Sequence, residues 1–336
     1  MIRQALLYDK LDDQRVRCNL CAHRCAINPN RRGICGVREN RDGLLYSLVY
    51  ATLIAENIDP IEKKPFFHVL PGSLSYSIAT VGCNFRCSFC QNHEISQMPS
   101  TSIMIAGNEV SPQAIVKDAA ASGCKTIAYT YTEPTIYFEL AIDTAKIAAV
   151  NGLKNVFVTN GFMTTEAIEM ISPYLAAANV DLKSFREDFY KKHCGAKLAP
   201  VLESLKKMKE KGIWVEITTL LIPTLNDDEQ ELQDIAQFIA ALGRETPWHV
   251  SRFHPQFKRR DLPPTSISSL HKAVEIGREA GLKYVYSGNV PGDQGENTYC
   301  FNCKNILIER FGFKIMKKDL KGNKCANCGT VLDGIF

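Results

Sequence analysis

Three cysteines fall within eight residues in the run Val81-Gly82-Cys83-Asn84-Phe85-Arg86-Cys87-Ser88-Phe89-Cys90, directly after an apolar, β-rich segment. Three thiolates on one short loop can ligate three irons of a cubane and leave the fourth open, whereas a structural [4Fe–4S] site normally has four cysteines. The open iron then binds something exchangeable. Gly82 supplies a tight backbone entry, and Phe89 can present a ring edge beside the cluster. The competing reading is a zinc site completed by His93, three residues beyond Cys90.

The remaining cysteines support metal chemistry. Of thirteen, eleven form three groups: Cys18, Cys21, Cys25 and Cys35; Cys83, Cys87 and Cys90; and Cys300, Cys303, Cys325 and Cys328. The chain opens Met1-Ile2-Arg3-Gln4 without an apolar leader, and no apolar run reaches the length of a membrane span. A cytoplasmic protein is expected, and clustered cysteines in a reducing compartment read as ligands rather than disulfides. Cys124 and Cys194 stand alone and read as small buried residues, although Cys194 beside a radical site could also donate hydrogen.

The fold follows from alternation. β-rich runs at Leu74–Val81, Thr126–Thr132, Asn155–Thr159, Asn179–Leu182, Trp214–Leu221, Trp248–Phe253 and Tyr284–Tyr286 are separated by helical patterns such as Thr135–Val150, Thr164–Leu175, Val201–Lys211, Asp227–Leu242 and Ser266–Ala280. Strands spaced in this way imply a parallel sheet with helical crossovers. Gly123, Gly152, Gly212 and Gly281 each sit where a helix should be closed before the next strand. Periodicity fits either a doubly wound sheet or a barrel that does not quite close. The polar residues favour the barrel, because Cys83, Thr132-Glu133, Asn160, Asp181/Lys183 and His254 all follow strand ends. Asp181 and Lys183, two apart on a strand, share a face. Pro134 suits the first turn of the next helix, placing Glu133 at its start.

Two small modules flank this core, giving expected boundaries at 1–60, 61–295 and 296–336. The tail pairs Cys300-Phe301-Asn302-Cys303 with Cys325-Ala326-Asn327-Cys328, a zinc-ribbon pattern that also admits a rubredoxin-type iron. A module this small needs such a staple. The four N-terminal cysteines suffice for zinc or for a second iron–sulfur cluster. Residues 1–41 carry nine Arg/Lys against four Asp/Glu, and residues 304–336 carry seven against three. Basic ends suit an anionic partner and equally serve solubility.

With these motifs in view, the Cys83/Cys87/Cys90 loop and its Phe89 resemble the signature of the radical S-adenosylmethionine (SAM) superfamily. The resemblance implies a [4Fe–4S] cluster whose open iron binds SAM, and a 5′-deoxyadenosyl radical that abstracts hydrogen. It also implies an incomplete (β/α)6-type barrel. Thr132-Glu133-Pro134, Thr159-Asn160-Gly161-Phe162 and Asp181-Leu182-Lys183 look like strand ends of the pyruvate formate-lyase activating enzymes. By that likeness Glu133 would take the methionine ammonium, Asn160, Asp181 and Lys183 would contact SAM, and His254 would lie near the ribose. Those activases carry an aspartate as cation ligand before Thr-Asn-Gly; here it is Val158, so a complete cation site is not implied.

End-to-end motifs narrow the likeness. Cys18-Asn19-Leu20-Cys21-Ala22-His23-Arg24-Cys25, Gly33-Ile34-Cys35-Gly36-Val37-Arg38, Gln91-Asn92, Tyr129-Thr130-Tyr131-Thr132-Glu133-Pro134 and Glu296-Asn297-Thr298-Tyr299-Cys300 resemble the radical SAM member of the AmmeMemoRadiSam system. Ala22 stands where proline is usual and Phe336 where tryptophan is common. Memo-like and AMMECR-like partner proteins are implied, together with a flavodoxin- or ferredoxin-type reductant. The expected function is hydrogen abstraction from a bulky substrate, protein or RNA. The alternative is a metal-bearing scaffold without turnover.

Overall fold

The strand–helix alternation produces one eight-stranded sheet whose spatial order is the order of the sequence. The computed structural model describes residues 1–101 and 104–336. The strands are β1 (Ala55–Pro60), β2 (Leu74–Ala79), β3 (Thr126–Tyr129), β4 (Lys154–Thr159), β5 (Leu175–Asp181), β6 (Trp214–Leu221), β7 (Trp248–Arg252) and β8 (Val285–Gly288). β1 runs antiparallel to β2, and every later pairing is parallel. A doubly wound sheet reverses its strand order at a switch point. No reversal occurs here, and right-handed crossovers that always step the same way place their helices on one side.

Those helices are α1 (Pro112–Ala121), α2 (Phe138–Val150), α3 (Thr165–Ile171), α4 (Ala199–Glu210), α5 (Glu229–Leu242) and α6 (Ile267–Glu279). Ser111, Thr164, Asp228 and Ser266 cap α1, α3, α5 and α6, each accepting the N–H three residues on. The closing glycines Gly123, Gly152, Gly212 and Gly281 all have φ between +72° and +89°, the left-handed cap that a Cβ would oppose.

The sequence misleads at two boundaries: Ala55–Pro60, expected within the N-terminal module 1–60, is β1 of the core sheet, and one helix runs short. The helix expected over 164–175 stops at Ile171, and Leu175 already belongs to β5. Pro173 cannot donate to a continuing helix and restricts Ser172 before it. Ala176-Ala177-Ala178, helix formers by propensity, are then taken into a central strand, where Ala177 and Ala178 are fully buried between layers.

The N-terminal residues form short antiparallel strands, Arg3–Gln4 with Leu44–Ser47 and Arg38–Arg41, and Tyr8–Lys10 with Val16–Cys18 and Ala26–Ile27. Arg38 fixes this module to the core through a buried ion pair with Glu139 on α2. At the other end, Thr298–Tyr299, Ile306–Phe311 and Lys314–Lys318 make an antiparallel sheet over a core of Leu307, Ile308 and Leu332. Among the described residues, no helix is long and apolar enough to cross a membrane.

His68 clamps the tail to the sheet. Its Nδ1–H donates to the Asp333 carbonyl at 2.7 Å, and its Nε2 accepts from the Tyr286 hydroxyl at 2.7 Å. That arrangement needs a neutral ring, and burial pushes the imidazole from 6.5 down to about 4. The unfolded chain therefore takes up a proton that the folded chain refuses. The contribution is fully present above the unfolded value of 6.5 and is lost as pH falls through about 4. At its full extent the difference is on the order of 3 kcal/mol. Urea unfolding of the wild type and a His68→Gln variant from pH 7.5 to 4 is expected to show a steeper acid loss for the wild type; parallel curves would refute the clamp.

Candidate active site and metal centres

β2 ends at Ala79, and the chain turns through Gly82 (φ +100°) into the cysteine loop. A Cβ on Gly82 would stand 2.8 Å from Val37 Cγ1 and 3.1 Å from the Cys35 carbonyl, so the N-terminal module packs directly on the loop's entry. The loop is strapped from the far side: Arg86 N–H donates to Cys194 O at 2.7 Å and Ser88 N–H to His193 O at 2.9 Å. Phe85 N–H donates to Cys83 Sγ at 3.3 Å, Asn160 Nδ2 approaches the same sulfur at 3.9 Å, and Ser96 Oγ lies 3.3 Å from Cys90 Sγ.

Cys83, Cys87 and Cys90 open into a cavity of about 420 Å³. Cys83, Glu133, Asn160, Asp181, Leu220, Ser251 and Asn289, at or just past seven successive strand ends, all line it. Phe89 and Lys183 join them. His254 does not: it is exposed and outside the lining, and the last strands present Ser251 and Asn289 instead. The residue lies past the end of β7, where the chain has already turned toward the surface. His93 stacks on Phe257 at 4.3 Å and is not among the residues lining the cavity.

Glu133 is fully buried at the join of β3 and β4. Its Oε1 accepts from Thr135 N–H (3.1 Å), Thr135 Oγ1 (2.5 Å) and Thr159 Oγ1 (2.7 Å), and Oε2 accepts from Asn160 N–H (2.8 Å). Burial raises its pKa while these donors oppose the rise. The carboxylate caps the turn at Pro134 as expected and also ties two strand ends together. Asp181 and Lys183 share a face and form an ion pair at 2.9 Å. Lys183 Nζ stands 5.9 Å from the Phe89 ring centre. Burial disfavours its charge, but Asp181 and the nearby thiols outweigh burial and hold it above its ordinary value.

Several site residues carry no one-dimensional signal. Cys194, read as a packing residue, is buried with its thiol against Cys87, where its S–H bond holds the Cys87 pKa below the ordinary value. Lys64 lines the cavity almost fully buried, pairs with Asp59 at 2.7 Å and sits 4.0 Å over the Tyr131 ring; burial pushes its pKa down to about 8. Phe313 reaches the same cavity from the tail. Val158 also lines it, so the position where the activases carry an aspartate is apolar here.

The tail cysteines form a separate centre. Cys300, Cys303, Cys325 and Cys328 bring their sulfurs within 4.8 Å of one another, with Cys300–Cys328 at 3.6 Å and Cys303–Cys325 at 3.7 Å. Four thiolates about 2.3 Å from one tetrahedral ion stand about 3.8 Å apart, so the set fits a single metal ion.

A sequential α/β sheet carries three cysteines and a polar cavity at its carboxyl edge, where enzymes of the β/α class place their active sites. Residues 77–239 match the family model of the Radical SAM superfamily, and the chain belongs to that superfamily. An uncharacterized protein of Methanocaldococcus jannaschii is 48% identical over 335 residues, 99% of each chain. A GTP 3′,8-cyclase of Pelotomaculum thermopropionicum is 23% identical over 250 residues, 68% of this chain and 76% of the cyclase. Among solved structures, a radical SAM methyltransferase from Sphaerobacter thermophilus aligns with TM-score 0.51 and 17% identity over 67% of this chain and 70% of that one, a likeness of fold.

Proposed function

We propose that this chain is a cytoplasmic radical SAM enzyme of the AmmeMemoRadiSam type that abstracts hydrogen from a bulky protein or RNA substrate. The observation that carries the reading is the convergence of Cys83, Cys87 and Cys90 with Glu133, Asn160, Asp181 and Lys183 on one cavity. A flat sheet could not bring seven strand ends to one space, which supports an incomplete barrel with the reaction at its mouth. When bound, the cluster and SAM supply the one-electron cleavage that yields the 5′-deoxyadenosyl radical.

The chain's own residues hold and shield these groups. Cys83, Cys87 and Cys90 would hold the cluster, with Phe89 and Lys183 lining the cavity beside it. Glu133 presents a carboxylate to the methionine ammonium, and Asn160 offers an amide beside Cys83. Lys64 and Phe313 line the same cavity, Lys64 from within and Phe313 from the tail. The tail set is assigned to zinc, whose usual structural sites it matches in ligand type. Memo-like and AMMECR-like proteins are proposed partners, with a flavodoxin or ferredoxin as reductant.

The test is anaerobic reconstitution followed by dithionite and SAM, measuring 5′-deoxyadenosine. The wild type is expected to form it, and a Cys83→Ala/Cys87→Ala/Cys90→Ala variant to fall to background. A cluster-loaded wild type that forms none, even with the partner proteins or RNA added, would make the chain a scaffold.

A further inference from the structure

The radical SAM reading leaves the four N-terminal cysteines without a role. Cys18 ends a strand, Cys21 and Cys25 lie in the turn after it, and Cys35 comes from a separate turn, yet all four line one enclosed space.

Spacing separates two kinds of centre. Among the described residues, only the tail set brings three or more ligand atoms within 4.8 Å of one another. The N-terminal thiols are spread more widely, as are Cys83, Cys87 and Cys90. A cubane, which interposes its own iron–sulfur edges, holds its thiolates wider apart.

Charge gives a second, independent indication. Arg38 lines this space with 2% exposure, and its Nε and Nη1 have no hydrogen-bond partner. Of the Arg38 nitrogens, Nη2 alone donates to Glu139. A buried cation with two unmade donors is costly unless something supplies acceptors and negative charge. A cluster bearing four thiolates supplies both. The rest of the wall includes Leu20, Ile27, Ile34 and Ile136, which could not hold a water.

We propose that Cys18, Cys21, Cys25 and Cys35 bind a second [4Fe–4S] cluster, fully ligated by cysteine and so closed to SAM, with Arg38 as its buried counter-cation. It sits against the first cluster's loop: His23 Nε2–H donates to the Asn84 carbonyl at 2.8 Å, and the Arg86 guanidinium donates to the Ile34 carbonyl. The proposal does not depend on SAM cleavage. Acid-labile sulfide decides it, because an ion in the tail contributes none. The anaerobically reconstituted wild type is expected to hold about eight sulfides per chain, against about four for one cluster. The Cys83→Ala/Cys87→Ala/Cys90→Ala variant is expected to keep about four, with a reduced electron paramagnetic resonance signal that SAM does not shift. A wild type with about four sulfides and two zinc ions per chain would overturn the proposal, whether or not the variant folds.

Discussion

Glu133→Ala is expected to lose about 4 kcal/mol of folding stability, because it removes one acceptor from four donors at once. Two of those donors, the N–H groups of Thr135 and Asn160, belong to the backbone and cannot turn elsewhere. Each orphaned buried N–H costs about 1–3 kcal/mol. The hydroxyls of Thr135 and Thr159 can rotate to other acceptors and add less. Glu133→Gln keeps an oxygen for the threonines but turns its amide NH₂ toward the Asn160 N–H, donor against donor. Its loss is expected to be about 2 kcal/mol. Urea unfolding of the apo proteins should rank wild type above Gln above Ala. A loss below about 1 kcal/mol for Ala would show that the carboxylate does not tie the ends of β3 and β4. On the proposed function, Glu133→Gln should also weaken SAM binding about tenfold or more in the cluster-loaded protein, a loss of at least about 1.4 kcal/mol separate from folding.

The double duty of Glu133 marks how far the sequence could be read. Thr-Glu-Pro after a strand identifies a cap and a cavity-facing carboxylate, because both follow from local spacing. The donors from Thr159 and Asn160 depend on the register of β3 against β4, which no local pattern encodes. The Asp181–Lys183 pair is expected from a strand period of two, yet β5 ends at Asp181 and Lys183 meets it from just beyond the strand. His254 shows where local reasoning fails. A polar residue shortly after a strand suggests the barrel mouth, but the turn before Pro255 takes the side chain to the surface. Cys194 is buried as its reading expects, but its place beside Cys87 is made by backbone straps from residues distant in sequence. β1 was hidden because Glu56, Asn57 and Asp59 give a polar edge strand, paired on one side only. The three cysteine groups were visible from spacing alone. Their division into a narrow set and two wider ones requires three-dimensional distances.

The strongest tie between the N-terminal module and the core is expected to be Arg38 with Glu139. Their side chains are 2% and 1% exposed, and Glu139 also accepts the Leu6 N–H at 3.0 Å. Glu139→Ala leaves a guanidinium buried with no counter-charge, a change that costs about 3–5 kcal/mol. The loss should be local before it is global. Arg38 and Leu6 both belong to the module, whereas Glu139 belongs to α2, so limited proteolysis is expected to cut within residues 1–53 while the sheet persists. Replacing both partners, Arg38→Met with Glu139→Leu, removes the uncompensated charge and should recover most of the loss in the apo protein. If the double variant is as unstable as Glu139→Ala, packing rather than charge holds the module in place. Loading iron and sulfide adds a further reading from the same pair of variants. With an anionic cluster beside Arg38, the wild type should gain more stability on loading than the double variant, which has no cation to meet it. An equal gain in both would leave the ion pair as a structural tie and remove Arg38 from the cluster's surroundings.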